Sequence, residues 1–590
     1  MNHHSCNPQT ITEQLDQRLM AAVGRHTGSM SPTLAWLSFV DWIRHLAVAP
    51  GHQFELAQLA LSQQLMLAQY VGRSSMRLPP LPGLTEAKAR EGIENMPVQD
   101  HRFESDEWHQ WPYNIWHQSY LLADQWWGKA TTDVPGVSRH HSQVVNFAAR
   151  EWLKFFSPRH SLLTNPEAQQ KTYEEWGANL WRGAQHWLDD AARHLTGAAP
   201  YGADQFVVGR DVALTPGKVV ARNALMELIQ YEPMTEQVRP EPVLIVPAWI
   251  MKYYILDLSP HNSLIRYLVQ QGYTVFCISW KNPGYAERTM GMDDYLSHGY
   301  FEALQTVNDR VPDAKVHALG YCLGGTLLSI AAASMAREGD NRLATISMLA
   351  AQTDFSEPGE LSLFIDESQV TMLECVMADA GYLTTDQMAG AFKMLRSDYM
   401  VWNYMVETYL MGERAPLSDL MAWNADATRM PACMHSQYLR RLFLNNDLAE
   451  GRYPVKGRAV SLSDIRTPLF CLGTVTDHVA PWRSVYKLHH LCSAELTFVL
   501  TSGGHNAGVI SQPGHPNRVY QIHTRKPEDR YTDPETWLRT AQQHDGSWWP
   551  AWVQWLDERS GSPVKPPRNT RSSSRASNFG KAPGTYVSEK

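Results

Sequence analysis

Cysteine is scarce in this 590-residue chain. The seven thiols stand apart at positions 6, 277, 322, 375, 433, 471 and 492. The count is odd and no Cys-x-x-Cys pair occurs, which argues against a disulfide scaffold and for a reducing compartment. No Cys/His spacing suits a structural zinc and no His-Glu-x-x-His segment suits a catalytic one, so no metal is expected. Neither sign of charge dominates: the formal net charge is −8, which points to no nucleic-acid partner and no anionic membrane. No apolar run reaches the ~18 residues of a membrane span. The opening "MNHHSCNPQTITEQLDQ" lacks the apolar stretch of a signal peptide, and a cytoplasmic protein is the expectation. Aromatic residues are plentiful by contrast, with 21 tryptophans. Most are expected as large core residues, and some suit an apolar–water boundary.

Patterning divides the chain. Residues 1–100 read as a variable region of helical segments, broken by the Pro-rich "LPPLPGLTEAKAREG" at 78–92. Residues 101–205 read as a Trp-rich helical domain. From 206 the pattern changes to short β-branched runs alternating with helical stretches. "PVLIVP", "TVFCISW", "KVHALG", "TISMLAA", "PLFCLG" and "LTFVLT" are continuously apolar. That suits strands of a parallel sheet covered on both faces, hence an open α/β fold. Core residues are expected at 206–357 and 461–560. The helical, aromatic stretch 358–460 between them is too long for a loop and reads as an inserted lid. The Ser/Pro/Gly-rich, basic tail 561–590 is expected to be disordered or loosely docked.

Chemistry concentrates in "VHALGYCLGGTLLSI". A β-type run leads through Gly320-Tyr321-Cys322-Leu323-Gly324-Gly325 into a small, apolar helix. This is the layout of a nucleophile elbow with Cys322 as the presented side chain. The helix N-terminus behind it favours a thiolate, and the Leu323 N–H is placed to face an oxyanion. The plainer alternative is a buried structural cysteine in a Gly-rich turn. In this architecture an acid and then a base follow the nucleophile along the chain. Asp477 follows the strand "PLFCLG" and His505 follows "LTFVLT", which gives the candidate triad Cys322, His505, Asp477. Asp354 and Asp464 are the rival acids and His478 the rival base. His317, Cys277 and Cys471 read as packed core. The second oxyanion donor is expected as a backbone N–H near Trp249 or Ile250. Trp249, Tyr254 and Asp257 are substrate-pocket candidates, and Lys252, Tyr253, Tyr254 and Asp257 could equally pack the following helix.

These segments resemble the polyhydroxyalkanoate synthases. "GYCLGG" is similar to that family's lipase-like box, "TDHVAPW" to its acid motif and "GGHNAGVI" to its base motif. "FVVGRDVALTPGKVVARN", "KYYILDLSP", "VWNYMVETYL", "DGSWWPAW" and "KAPGTYV" extend the likeness over roughly residue 100 to the end. The first hundred residues resemble the family little. The resemblance implies an α/β-hydrolase fold with a large helical lid insertion and a mainly helical N-terminal domain. It implies polymerisation of (R)-3-hydroxyacyl-CoA into polyester, with release of CoA and no cofactor, in a one-subunit enzyme of class I more than class II. It implies Cys322 as acyl carrier, His505 as base and Asp477 as its partner, with the Asp also discussed as activating the 3-hydroxyl. It further implies a homodimer at the surface of polyester granules, in contact with the growing chain and with granule-associated proteins. Ala248 and Met251 depart from the family pattern beside the presumed oxyanion loop. A Cys-type hydrolase of the same fold (a thioesterase or intracellular depolymerase) is the alternative. A non-catalytic granule coat is a third reading.

Overall fold

In the computed structural model, residues 10–75, 98–567 and 579–590 are described. The stretch 78–92 read above as a linker lies outside them. The described chain forms two compact units. One comprises residues 31–200 with 391–416, and the other comprises residues 1–30, 201–390 and 417–590.

The first unit is helical, with long helices at Pro32–Ala47, Pro50–Ser75, Tyr113–Thr131, Arg139–Phe155 and Ala178–Thr196. Residues 391–416 join it through close backbone approach and ion pairing. Gly183 lies so near Tyr409 that a Cβ there would stand 1.9 Å from the Tyr409 carbonyl oxygen. Arg414 bonds Asp189 at 2.8 Å and Asp190 at 2.7 Å. The stretch 358–460 is thus divided: its middle belongs to the helical unit and its two ends to the other. Trp152, Trp176, Trp181 and Trp187 lie exposed on this unit. In the second unit the tryptophans at 249, 537, 548, 549 and 552 are fully buried.

The second unit is built on a ten-stranded sheet: β1 (Gly217–Arg222), β2 (Met226–Tyr231), β3 (Val243–Val246), β4 (Val275–Trp280), β5 (Val316–Tyr321), β6 (Leu343–Leu349), β7 (Leu469–Thr474), β8 (Leu496–Thr501), β9 (Val519–Arg525) and β10 (Gln542–Asp545), in the order β1-β2-β4-β3-β5-β6-β7-β8-β9-β10. All six strands expected from the sequence are present. They pair in parallel from β4 through β3, β5, β6 and β7 to β8. The sheet is mixed rather than wholly parallel, because β1–β2, β2–β4, β8–β9 and β9–β10 pair antiparallel. The six parallel strands are almost entirely buried, as sheets covered on both faces must be.

The basic tail is not loose where it is described. Val219 N–H donates to the Gly580 carbonyl at 3.1 Å, and Ala582 N–H to the Gly217 carbonyl at 2.9 Å, so residues 580–582 cover the free edge of β1. An edge strand left bare would expose unpaired amides. Val587 is fully buried. The composition of the tail hid these contacts because they are made mainly by main-chain groups.

Candidate active site

β5 ends at Tyr321 and a helix runs from Leu323 to Glu338. Cys322 between them takes φ 53° and ψ −126°, a left-handed strain that only a special turn imposes on a non-glycine residue. The turn is tight enough to demand the flanking glycines. A Cβ on Gly324 would lie 2.0 Å from the Val246 carbonyl oxygen, and one on Gly320 would lie 2.4 Å from the Gly325 Cα. The sequence places glycine where backbones touch, and the strain falls on Cys322 itself.

Asp477 stands three residues beyond β7 and His505 four beyond β8. All three groups therefore gather at the carboxyl ends of parallel strands, where ligands of open α/β sheets sit. Asp477 Oδ2 accepts from His505 Nδ1 at 2.8 Å. The Cys322 sulfur interacts with the same imidazole, and with Nδ1 given to Asp477 the nitrogen available to it is Nε2. The Asp477 carboxylate is fully buried. Its Oδ1 accepts from the N–H groups of Val479 (2.9 Å) and Ala480 (2.8 Å), and its Oδ2 also from Thr474 Oγ1 at 3.1 Å. Burial opposes ionisation of Asp477, yet the His505 charge and these donors outweigh it and hold the pKa below the ordinary carboxylate value. Burial likewise disfavours the His505 imidazolium. The charges of Asp477 and of the Cys322 thiolate prevail, and the pKa is raised well above the usual histidine value.

The expected oxyanion donors are two backbone N–H groups. Among the described residues, neither the Leu323 N–H nor the Ile250 N–H has an acceptor within reach. Three carbonyls of the 249–252 loop are occupied. Thr428 Oγ1 donates to the Trp249 carbonyl (2.6 Å), Thr428 N–H to the Ile250 carbonyl (3.3 Å) and Trp423 Nε1 to the Lys252 carbonyl (2.7 Å).

The remaining sequence candidates fall into supporting places. Trp249 is buried against Trp280 and Tyr295, with Nε1 3.2 Å from Met434 Sδ. Tyr254 Oη donates to Asp426 at 3.0 Å. Asp257 is wholly buried and accepts from Thr215 Oγ1 (2.5 Å) and Ser263 Oγ (2.6 Å). Asp354 binds Ser356 and Asn446, and His478 pairs with Glu360 at 3.3 Å. His317 lies in the core between Thr345 and Ser560, its pKa lowered to about 4 by burial. Cys277 and Cys471 are buried in strands, and burial pushes the Cys471 thiol up to about 12. Sequence reasoning missed Tyr321, whose buried phenol donates to Asn506 Oδ1 at 2.6 Å and whose ring lies 5.7 Å from His505. It also missed Tyr438, which packs with Phe355 and Phe443 in an aromatic group on the core that Cys322 borders.

Comparison with known proteins identifies the family. A family model described as "Poly-beta-hydroxybutyrate polymerase (PhaC) N-terminus" matches residues 99–268, and "alpha/beta hydrolase fold" matches residues 241–510. A third, "Poly-beta-hydroxybutyrate polymerase N terminal", matches residues 10–52, so family character reaches further forward than the motifs indicated. The chain is 40% identical over 501 residues to a poly(3-hydroxyalkanoate) polymerase of Methylorubrum extorquens, covering 84% of this chain and 82% of that one. It is 36% identical over 504 residues to a poly(3-hydroxyalkanoate) polymerase subunit of Cupriavidus necator, covering 84% of each. Among solved structures, a monoacylglycerol lipase of Paleococcus ferrophilus aligns with 57% of this chain and 99% of its own at 13% identity and a TM-score of 0.33. With the two polymerases aligned over more than four-fifths of its length, the chain belongs to the poly(3-hydroxyalkanoate) polymerase family.

Proposed function

We propose that the protein polymerises (R)-3-hydroxyacyl-CoA, with 3-hydroxybutyryl-CoA as the first candidate, through an acyl-enzyme on Cys322. The observation that carries the reading is a thiol, rather than a hydroxyl, at the elbow in front of His505 and Asp477. The Cys322 thiolate attacks the thioester carbonyl, and the oxyanion is met by the N–H groups of Leu323 and Ile250. The intermediate collapses with cleavage of the carbon–sulfur bond to CoA, and the departing thiolate takes the proton held on His505. One thioester has been exchanged for another at little cost in free energy, so the acyl group stays activated. His505 then takes the proton of a chain-end 3-hydroxyl, whose oxygen attacks the acyl carbonyl. An oxyester forms and the Cys322 thiolate leaves. A serine would trap the acyl group as a stable oxyester one step too early.

Asp477 acts through His505 in this scheme. Its two oxygens already accept four hydrogen bonds and carry no exposed surface, which disfavours its direct activation of the 3-hydroxyl. The Phe355, Tyr438 and Phe443 group limits water around the acyl-enzyme. The length of the chain and its helical unit favour a one-subunit enzyme of the class I kind, working as a homodimer. The exposed tryptophans of the helical unit favour a cytoplasmic enzyme seated on polyester granules and their associated proteins. Among the described residues no helix is long and apolar enough to cross a membrane.

The test is product analysis. Purified protein with (R)-3-hydroxybutyryl-CoA is expected to release CoA and form insoluble polyester, and Cys322→Ala to do neither. CoA release with only free hydroxy acid would replace this reading with a hydrolase.

A further inference from the structure

Residues 579–590 cross from the edge of the sheet to the oxyanion loop. At the start, residues 580–582 pair with β1. Next, the fully buried Glu227 of β2 receives the segment: Oε2 accepts the N–H groups of Thr585 (2.9 Å) and Tyr586 (3.1 Å), and Oε1 accepts Thr585 Oγ1 (2.8 Å). Arg222 Nε completes this carboxylate at 2.7 Å. Gly584 has φ 83°, and a Cβ there would stand 2.2 Å from Glu227 Oε2, so the close passage requires glycine. At the far end, the Lys252 ammonium donates to the carbonyls of Val587 and Glu589, both at 2.5 Å. Asn282 N–H binds Glu589 Oε2 at 3.2 Å, and Arg429 reaches the Lys590 main-chain oxygen at 2.7 Å.

Lys252 is the unusual member. Its side chain is 3% exposed, and its nearest carboxylate, Asp426, is 3.6 Å away. A buried ammonium is costly unless well supplied with acceptors, and here two main-chain carbonyls of the segment supply them. Burial lowers its pKa. Lys252 also lies two residues beyond Ile250. Through Trp423 and Thr428, the carbonyls of residues 249, 250 and 252 are tied as well. Among the described residues the Ile250 N–H of this loop has no acceptor within reach.

We propose that residues 579–590 form a strap that, through Lys252, fixes the Ile250 N–H as the second oxyanion donor, making Lys252 a positioning residue. The inference rests on the acyl-enzyme reading above. It predicts a selective defect. Thioester attack on Cys322 needs the oxyanion donors, whereas alkylation of the same thiol by iodoacetamide creates no oxyanion and needs only the thiolate.

The experiment compares both reactions in the full-length protein. Acylation by (R)-3-hydroxybutyryl-CoA is followed by rapid quench at saturating substrate. Alkylation is followed by mass, and folding by thermal unfolding. Lys252→Met is expected to slow acylation about 100-fold, the scale of losing one oxyanion donor, with alkylation within about twofold of wild type. Glu227→Gln weakens the strap where it meets β2, remote from the loop, and is expected to show the same selective loss at about tenfold; it also serves if Lys252→Met does not fold. Acylation at the wild-type rate in the folded variants would overturn the proposal. Equal loss of acylation and alkylation would also overturn it, since the damage would then lie in the triad. Failure of the wild type itself to acylate at Cys322 would instead remove the reading on which the strap depends.

Discussion

Asp477→Asn perturbs the site at a single atom. The wild-type carboxylate accepts on both oxygens: two backbone N–H groups on Oδ1, the Thr474 hydroxyl and His505 Nδ1 on Oδ2. An asparagine can supply only one acceptor oxygen. Facing that oxygen to the two backbone donors is the favourable choice, and it turns the NH2 toward His505. Nδ1 must then accept, so the proton moves to Nε2, the nitrogen facing Cys322. The imidazole can no longer take a proton from the thiol or from the 3-hydroxyl. An equivalent change in a Ser-His-Asp triad costs about 10⁴ in rate. Roughly 10³–10⁴ is expected here, about 4–5.5 kcal/mol at 1.36 kcal/mol per tenfold. The pH dependence provides a second readout. In the acyl-enzyme the Cys322 charge is gone, and Asp477 is the group that raises the His505 pKa against burial. Hydroxyl attack requires neutral His505, so its rate rises with pH through that pKa. Losing the carboxylate should move this rise to lower pH while depressing the plateau. Single-turnover transfer from acyl-Cys322 to a hydroxyl acceptor, measured from pH 5 to 9, checks both. A plateau within tenfold of wild type, or a rise displaced to higher pH, would refute the tautomer argument.

Other perturbations test neighbouring steps. Gly324→Ala would put a Cβ 2.0 Å from the Val246 oxygen and 2.7 Å from the Pro247 carbonyl carbon. With backbone on both sides it is expected to destabilise by about 3 kcal/mol or more, read by urea unfolding; a midpoint equal to wild type would contradict the close approach. Asp354→Asn and His478→Ala remove the rival acid and base and are expected to keep polymerisation within about twofold, because neither side chain bonds a triad member. Stability should follow the Asp477–His505 pair. The lowered carboxylate contributes above about pH 4 and is lost as pH falls through its folded value. The raised histidine contributes below about pH 6.5 and is lost as pH rises through its folded value. The Tm advantage of wild type over His505→Gln should therefore be largest between about pH 4 and 6.5 and shrink on both sides, as followed by scanning fluorimetry.

The central strands were legible because strands buried on both faces write themselves as unbroken apolar runs, as in β5 and β8. The triad was legible for a related reason: Asp477 and His505 stand at fixed short offsets from strand ends. The outer strands carry no such signal. β9 and the edge strand β10 are polar and partly exposed, with "QQHD" in the latter, because strands at the margin of a sheet need only one packed face or none. β2 hides a fully buried Glu227 whose partners lie 358 and 359 residues further along the chain. No local pattern announces such a pairing, nor that Lys252 would be held by Val587. Residues 391–416 gave no hint of belonging with the helical unit, since the contact is made by Gly183 packed against the Tyr409 carbonyl and by ion pairs such as Arg414 with Asp189 and Asp190, all between residues distant in the chain. Trp249 and Asp257 read as pocket candidates from their place in the loop, whereas burial and internal hydrogen bonds hold them in its frame.

The central claim is a covalent acyl group on Cys322 that passes to a hydroxyl. The most direct measurement is to mix the protein with (R)-3-hydroxybutyryl-CoA, quench in acid within milliseconds, and determine the site and mass of the adduct by peptide mapping. The account predicts a hydroxyacyl or oligomeric hydroxyacyl group on Cys322, labile to hydroxylamine and lengthening with time. CoA release with Cys322 unmodified at every time, or an adduct on another residue, would contradict it.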